Sequence, residues 1–219
     1  MQLQELILEL FFPEFCLNCQ NLGPPLCQNC YHDLNFYFTQ NKIQEISANF
    51  EEVYFDQVQI MAKFEGSLAK LLKALKYQSG KNIAPFLARM LYRHLLIPQA
   101  DLITFIPLHP HKLRIRGYNQ CQEIALELGK ITQIPVRNLL QKKQNTSAQA
   151  QIKNQKDRLQ RMQGLFQIRE KYQDLVVNKT IIIIDDVLTT GATLNAASQA
   201  LKKASVKEIF GLIVASKME

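Results

Sequence analysis

No apolar run in this sequence approaches the length of a membrane span, so nothing in it reads as a transmembrane helix. The N-terminus, Met1-Gln2-Leu3-Gln4-Glu5, lacks the basic start of a secretory signal, and Glu5 and Glu9 interrupt its apolar positions. A cytoplasmic protein is the expectation. There are no internal repeats and no linker long enough to set off a second large domain. Two nucleotide-binding signatures are missing as well: the Gly-x-x-x-x-Gly-Lys of a P-loop and the Gly-x-Gly-x-x-Gly of a dinucleotide fold. What remains is ordinary globular composition, 47% hydrophobic and 21% charged over 219 residues. That suffices for one α/β domain and a small appendage. A net charge of +7 favours acidic partners such as phosphates or nucleic acid, without selecting one.

One stretch organises the rest. Ile181 to Ile184 form an unbroken β-branched run, which suits a strand buried on both faces. Asp185 and Asp186 follow at once. At the end of a buried strand, two bare carboxylates must meet water, a metal or a hydroxyl-rich ligand, because burying them unpaired is very costly. Thr189-Thr190-Gly191-Ala192-Thr193 comes next, with a helical pattern running on to Lys203. Gly191 permits a tight turn, and the hydroxyls and free N–H groups of a helix start make a place for a phosphate. In an open α/β sheet, ligands sit at the carboxyl ends of the strands. The arrangement asks for vicinal hydroxyls with a phosphate a few ångströms further on. A ribose 5-phosphate fits.

The N-terminal region has a different chemistry. Leu3, Leu6, Ile7, Leu10 and Phe11 recur at helical spacing, which predicts a helix over residues 2–12, ended by Pro13. Cys16, Cys19, Cys27 and Cys30 then form two Cys-x-x-Cys pairs separated by seven residues. This spacing places four thiolates around one tetrahedral centre, a four-cysteine zinc site with no open position for water, and so structural. The fifth cysteine, Cys121, stands apart and reads as a packing or surface thiol. Phe36, Tyr37, Phe38, Phe50, Tyr54 and Phe55 read as the seam between this module and its neighbour. The expected division is a helix and zinc module over residues 1–50 and a larger domain over 51–219.

In that domain, Gln57 to Phe64 alternates as a strand. Ser67 to Tyr77 and Ile83 to Leu96 carry amphipathic helical patterns. Leu102 to Ile106 is a short strand stopped by Pro107, and Gly117 to Ile131 predicts another helix. Pro135 to Leu140 and Gly164 to Ile168 read as strands, and Gln149 to Met162 as a polar helix. Glu208 to Ala215 is a final strand. Strands alternating with helices predict a mostly parallel sheet covered on both faces.

These motifs carry a resemblance. Ile181 to Thr193 resembles the phosphoribosyl pyrophosphate (PRPP) motif of type I phosphoribosyltransferases. Leu75-Lys76-Tyr77, Pro107 to Pro110, Arg114-Ile-Arg-Gly-Tyr-Asn-Gln120, Thr146 to Gln149, Arg158 and Gly164 to Phe166 stand in the order found in the ComF family. The paired cysteines match too, so the resemblance spans almost the whole sequence. Arg161 stands where that family usually has asparagine, and Gln78 where it has an aromatic or apolar residue.

The resemblance implies a type I phosphoribosyltransferase fold and a role in DNA uptake during natural transformation. It implies that Asp185 and Asp186 hold the ribose hydroxyls and that Thr189, Thr190, Gly191, Ala192 and Thr193 hold the 5-phosphate. Leu108 and His109 lie in the adjoining loop. Arg114 and Arg116 would neutralise pyrophosphate beside Mg2+. Three readings stay open: a DNA-handling protein that binds PRPP and single-stranded DNA, with DNA-uptake proteins as further partners; a phosphoribosyltransferase with an unknown base or amine acceptor; and a PRPP sensor without turnover. Lys142, Lys143, Lys153, Lys156, Arg158 and Arg161 form the basic stretch that favours the first.

Overall fold

The isoleucine run lies inside a four-stranded sheet. The computed structural model describes residues 15–37, 46, 50–77, 83–142 and 164–218. Strands β1 (Gln57–Lys63), β2 (Leu102–Phe105), β5 (Thr180–Leu188) and β6 (Glu208–Ser216) run in the order β1-β6-β5-β2, every neighbour parallel. Ile181 to Ile184 pair with Leu102 to Phe105 on one side and with Ile209 to Leu212 on the other. All four isoleucines are fully buried, each contributing about 1.5–3 kcal/mol relative to exposure.

Successive side chains of a strand point to opposite faces, and the two cores divide accordingly. Ile182 and Ile184 join helices α2 (Gly66–Tyr77), α3 (Ile83–His94) and α5 (Gln120–Thr132) through Leu68, Leu72, Leu87, Leu91 and Ile124. Ile181 and Ile183 face α6 (Ala192–Lys202) through Leu194, Ala197 and Leu201. A short antiparallel ladder, β3 (Leu140–Lys142) with β4 (Phe166–Ile168), caps this second core.

The cysteine-bearing segment, with its short helix α1 (Gln28–His32), packs into the first core. Cys16, Leu26, Cys30 and Leu34 are buried among the leucines of α2 and α3. Phe36 stacks on His94 with ring centroids 4.0 Å apart, and Tyr31 hydrogen-bonds the same imidazole. The aromatic seam expected from the sequence is therefore present at Phe36, with Phe50, Phe55 and Tyr37 serving the second core.

Differences from the expected elements have local causes. Pro135 to Leu140 does not form a strand of its own. Val136 makes a single parallel bridge to Ile103, and Arg137 NH reaches the Ile103 carbonyl. A separate helix, α4 (Pro110–Arg116), precedes α5. His109 caps it by accepting from His111 NH, Pro110 occupies its first turn and left-handed Gly117 ends it. Strand β5 runs past the acidic pair to Leu188. The helices expected over 2–12 and 149–162, the ring of Phe38 and the basic stretch beyond Lys142 lie outside the described residues.

Gly191 sits at φ 81°, a conformation that favours glycine. A Cβ there would lie 2.4 Å from Ile46 Cγ2 and 3.4 Å from the Phe50 ring. Gly191→Ala should therefore destabilise the chain by about 1–3 kcal/mol, read by chemical denaturation. An unchanged midpoint would show that this packing is unimportant.

Candidate functional site

The acidic pair is built into the strand and not presented beyond it. Asp185 and Asp186 retain only 8% and 7% of their exposure. Three elements converge on them. From the end of α2, Lys76 Nζ lies 2.5 Å from Asp186 Oδ2. From the start of α5, Gln120 Nε2 donates to the same oxygen at 3.3 Å. Cys121 Sγ donates to Asp185 Oδ1 at 3.6 Å, and that oxygen also accepts from Asp186 NH at 2.9 Å.

A supporting set holds these donors in place. Asn119 caps α5 by accepting from Cys121 NH, and its amide donates to the Ile106 carbonyl at the end of β2. Arg116 Nη1 donates to Gln120 Oε1 at 2.7 Å, which leaves the Gln120 amide nitrogen directed at Asp186. Tyr118 donates to the Leu75 carbonyl, tying the end of α2 to the start of α5. The Arg114 to Gln120 motif is thus joined to the acidic pair from the side, with Arg114 exposed on α4 and Arg116 half-buried.

Charge follows from this burial. Desolvation, then the adjacent Asp186 charge, pushes the Asp185 carboxyl up to about 8. Burial, then the charges of Asp186 and Asp185, pushes the Cys121 thiol well above its ordinary value. Lys142 is lowered, first by burial and then by Lys112, while Asp185 acts the other way. It lies 5.6 Å over the Phe166 ring. Lys76 by direct contact and Lys142 through its interaction with Asp185 thus bring ammonium groups toward one acidic pair.

The hydroxyl-rich loop follows directly. Thr189 is exposed, Thr190 and Thr193 are half-buried, and Gly191 and Ala192 are buried. Thr190 Oγ1 accepts from Ala192 NH at 3.4 Å. Helix α6 starts at Ala192 with no side-chain cap from Gly191, so beyond the Ala192 NH taken by Thr190 the N–H groups of its first turn are available to a ligand or water. Leu108 and His109 stand in the neighbouring loop after β2, half-buried and exposed respectively.

Known proteins are similar to this chain in sequence. The phosphoribosyl transferase domain family matches residues 116–219. Competence protein F of Haemophilus influenzae is 28% identical over 208 residues, covering 89% of this chain and 86% of that protein. Competence protein ComFC of Streptococcus pneumoniae is 31% identical over 104 residues, covering 48% of this chain and 43% of that one. The chain is similar to these competence proteins and has a phosphoribosyltransferase fold of type I. Among solved structures, the glutamine PRPP amidotransferase of B. subtilis complexed with ADP and GMP aligns with a TM-score of 0.43 at 20% identity, covering 61% of this chain and 27% of that one.

The chain also gathers its four N-terminal cysteines in one cluster. The sulfurs of Cys16, Cys19, Cys27 and Cys30 lie within 4.8 Å of one another, and Cys19 and Cys27 are 3.6 Å apart. A tetrahedral zinc with sulfurs at about 2.3 Å needs sulfur separations near 3.8 Å, so the cluster fits such an ion. Burial opposes ionisation of Cys16, but the amides of Cys27, Cys19 and Asn18 outweigh it and hold the thiol down at about 6. Asn18 Nδ2 donates to Cys30 Sγ at 3.2 Å, and Asn18 Oδ1 accepts from Lys70 of α2 at 2.8 Å. No helix among the described residues is long and apolar enough to cross a membrane.

Two residues of the acidic site were not assigned to it from the sequence. Cys121, expected to be a packing or surface thiol, is buried against Asp185. Lys76 and Asp186 are far apart in sequence, and only the fold pairs them. A clue to Cys121 was its place directly after Asn119-Gln120 at a helix start.

The raised Asp185 carboxyl has a consequence for stability. In the unfolded chain it ionises near 3.8, whereas in the fold it stays protonated up to about 8. The unfolded state thus binds fewer protons between those values, and stability falls as pH rises through that window. Asp185→Asn removes this loss. The melting-temperature gain of the variant should be near zero at about pH 4, grow to several degrees by about pH 8 and then level off. A pH-independent difference would contradict the assignment.

Proposed function

We propose that the ComF-like chain binds PRPP with Mg2+ at the Asp185–Asp186 pair and the loop Thr189 to Thr193. The observation that carries this is a nearly buried acidic pair in strand β5, followed at once by a hydroxyl-rich turn and the uncapped start of α6. A ribose offers vicinal hydroxyls to the carboxylates, and its 5-phosphate reaches the N–H groups and threonines. Lys142, which feels the charges of both Asp185 and Lys112, and Arg114 on the same helix as Lys112 are the cations offered to the pyrophosphate, and Mg2+ when bound would offset its charge. Asp185 and Asp186 orient the ribose, Leu108 and His109 border it, and Arg116 acts through Gln120.

In the same reading, residues 1–50 form a structural module with zinc at Cys16, Cys19, Cys27 and Cys30, and residues 51–219 form the PRPP-binding domain in the cytoplasm. The named relatives are competence proteins, which supports a role for this chain in natural transformation and contact with DNA-uptake proteins. Turnover onto a base or amine, and sensing without turnover, are the competing outcomes of the same binding event.

A specific surface favours single-stranded DNA as a further partner. Helix α4 buries none of its residues. It exposes Lys112 and Arg114 beside Leu113 (42%) and Ile115 (73%). Cations for phosphates next to apolar tips for bases suit a single strand.

Two measurements test these readings. Calorimetry should show PRPP binding in the presence of Mg2+ by the wild type and none by Asp185→Asn with Asp186→Asn. Equal binding by both proteins would remove the pair from the site. For DNA, changing both Lys112 and Arg114 to Ala should lower the salt slope of single-strand affinity by about 1.4, at about 0.7 per cation. An unaltered slope would place the DNA elsewhere.

A further inference from the structure

The candidate PRPP site already contains a cation. Lys76 Nζ lies 2.5 Å from Asp186 Oδ2, and the two side chains keep 24% and 9% of their exposure. This is not a loose surface pair. Leu68, Leu71, Leu72 and Leu75, on the same helix, are fully buried, and Tyr118 fixes the Leu75 carbonyl next to it. Lys76 is also the basic residue of the last turn of α2, where the helix dipole favours a positive charge. Gln120 shares the same carboxylate oxygen. A ribose hydroxyl arriving at Asp186 therefore meets an oxygen that already serves an ammonium and an amide.

We propose that Lys76 is a counter-ion that changes partner: it holds Asp186 in the ligand-free chain and moves to the pyrophosphate of the bound ligand. This rests on the PRPP reading of the same site. Charge balance is the reason. When ribose hydroxyls and Mg2+ take over the carboxylates, a partly desolvated ammonium loses its anion, which is costly unless another is supplied. In PRPP the pyrophosphate is attached at C1, next to the C2 hydroxyl, and so enters beside the carboxylates. Ribose 5-phosphate has the same hydroxyls and the same 5-phosphate but no pyrophosphate. It displaces Lys76 and offers nothing in return. Lys76 thereby becomes a selectivity residue that favours the diphosphorylated sugar over its own hydrolysis product.

The test is a comparison of two ligands on two proteins. Affinities of PRPP and ribose 5-phosphate, both with Mg2+, are measured by calorimetry for the wild type and for Lys76→Gln. The variant should bind PRPP at least tenfold more weakly and ribose 5-phosphate as well as or better than the wild type. Lys76→Arg, which keeps the charge, should restore PRPP affinity to within a few-fold. Melting curves establish that each variant is folded. Should Lys76→Gln not fold, Lys76→Met takes its place, and a parallel loss of both affinities in either folded variant would overturn the proposal by showing a merely structural role. Unchanged PRPP affinity in a folded variant would overturn it too, while leaving the PRPP site standing. Failure of the wild type to bind PRPP would overturn the site reading itself, and this proposal with it.

Discussion

Two carboxylates side by side in the interior of a strand are the constraint around which this fold is arranged. Desolvation alone disfavours each anion, and their adjacency adds repulsion. The chain meets both costs with groups drawn from distant sequence: one ammonium from α2, and one amide and one thiol from α5. Those donors can reach the pair only if the end of α2 and the start of α5 both lie against β5. The Tyr118–Leu75 and Asn119–Ile106 hydrogen bonds secure that convergence. Asp185 has a thiol and a backbone NH in hydrogen-bond contact, and burial, then the adjacent Asp186 charge, keeps its proton on well above the usual carboxylate range.

The arrangement is strained in charge and satisfied in hydrogen bonding, a combination found where a site has been prepared for something that is not always there. A core optimised only for stability would replace the pair with apolar residues of similar volume. Instead the strand keeps both acids, extends past them to Leu188, and turns through a left-handed glycine that Ile46 and Phe50 close over. The threonine turn and the start of α6 are thereby fixed relative to the carboxylates. Rigid elements carry the chemistry, and the loops after β2 and around α4 supply charge at the rim.

Much of this was legible in the sequence because it is periodic. The isoleucine run, the leucine spacing of α2 and the alternation of β1 each report burial through local pattern, and each element lies where that pattern puts it. The Asp185 to Thr193 order is contiguous, so its restrictive chemistry could be read directly. Other features have no local period. Helix α4 buries nothing, so it shows no amphipathic stripe, although His109, Pro110 and Gly117 were start and stop signals available to a reader of caps. Val136 makes one bridge and no ladder, so its apolar neighbourhood looked more like a strand than it is. Lys76 and Cys121 acquire their meaning only in three dimensions.

Helix α2 is the common member of both halves of the chain. On one side its Lys70 holds Asn18, whose amide in turn donates to Cys30 of the cysteine cluster. At its far end Lys76 holds Asp186. Between them the buried leucines pack against Ile182, Ile184, Leu26 and Leu34 in a single core. Closely packed interiors move as units and transmit displacement instead of absorbing it. The cysteine module is therefore not a detachable ornament. Its packing fixes the helix whose last turn supplies the cation of the acidic pair, and the position of that cation is set from both ends of the same rod.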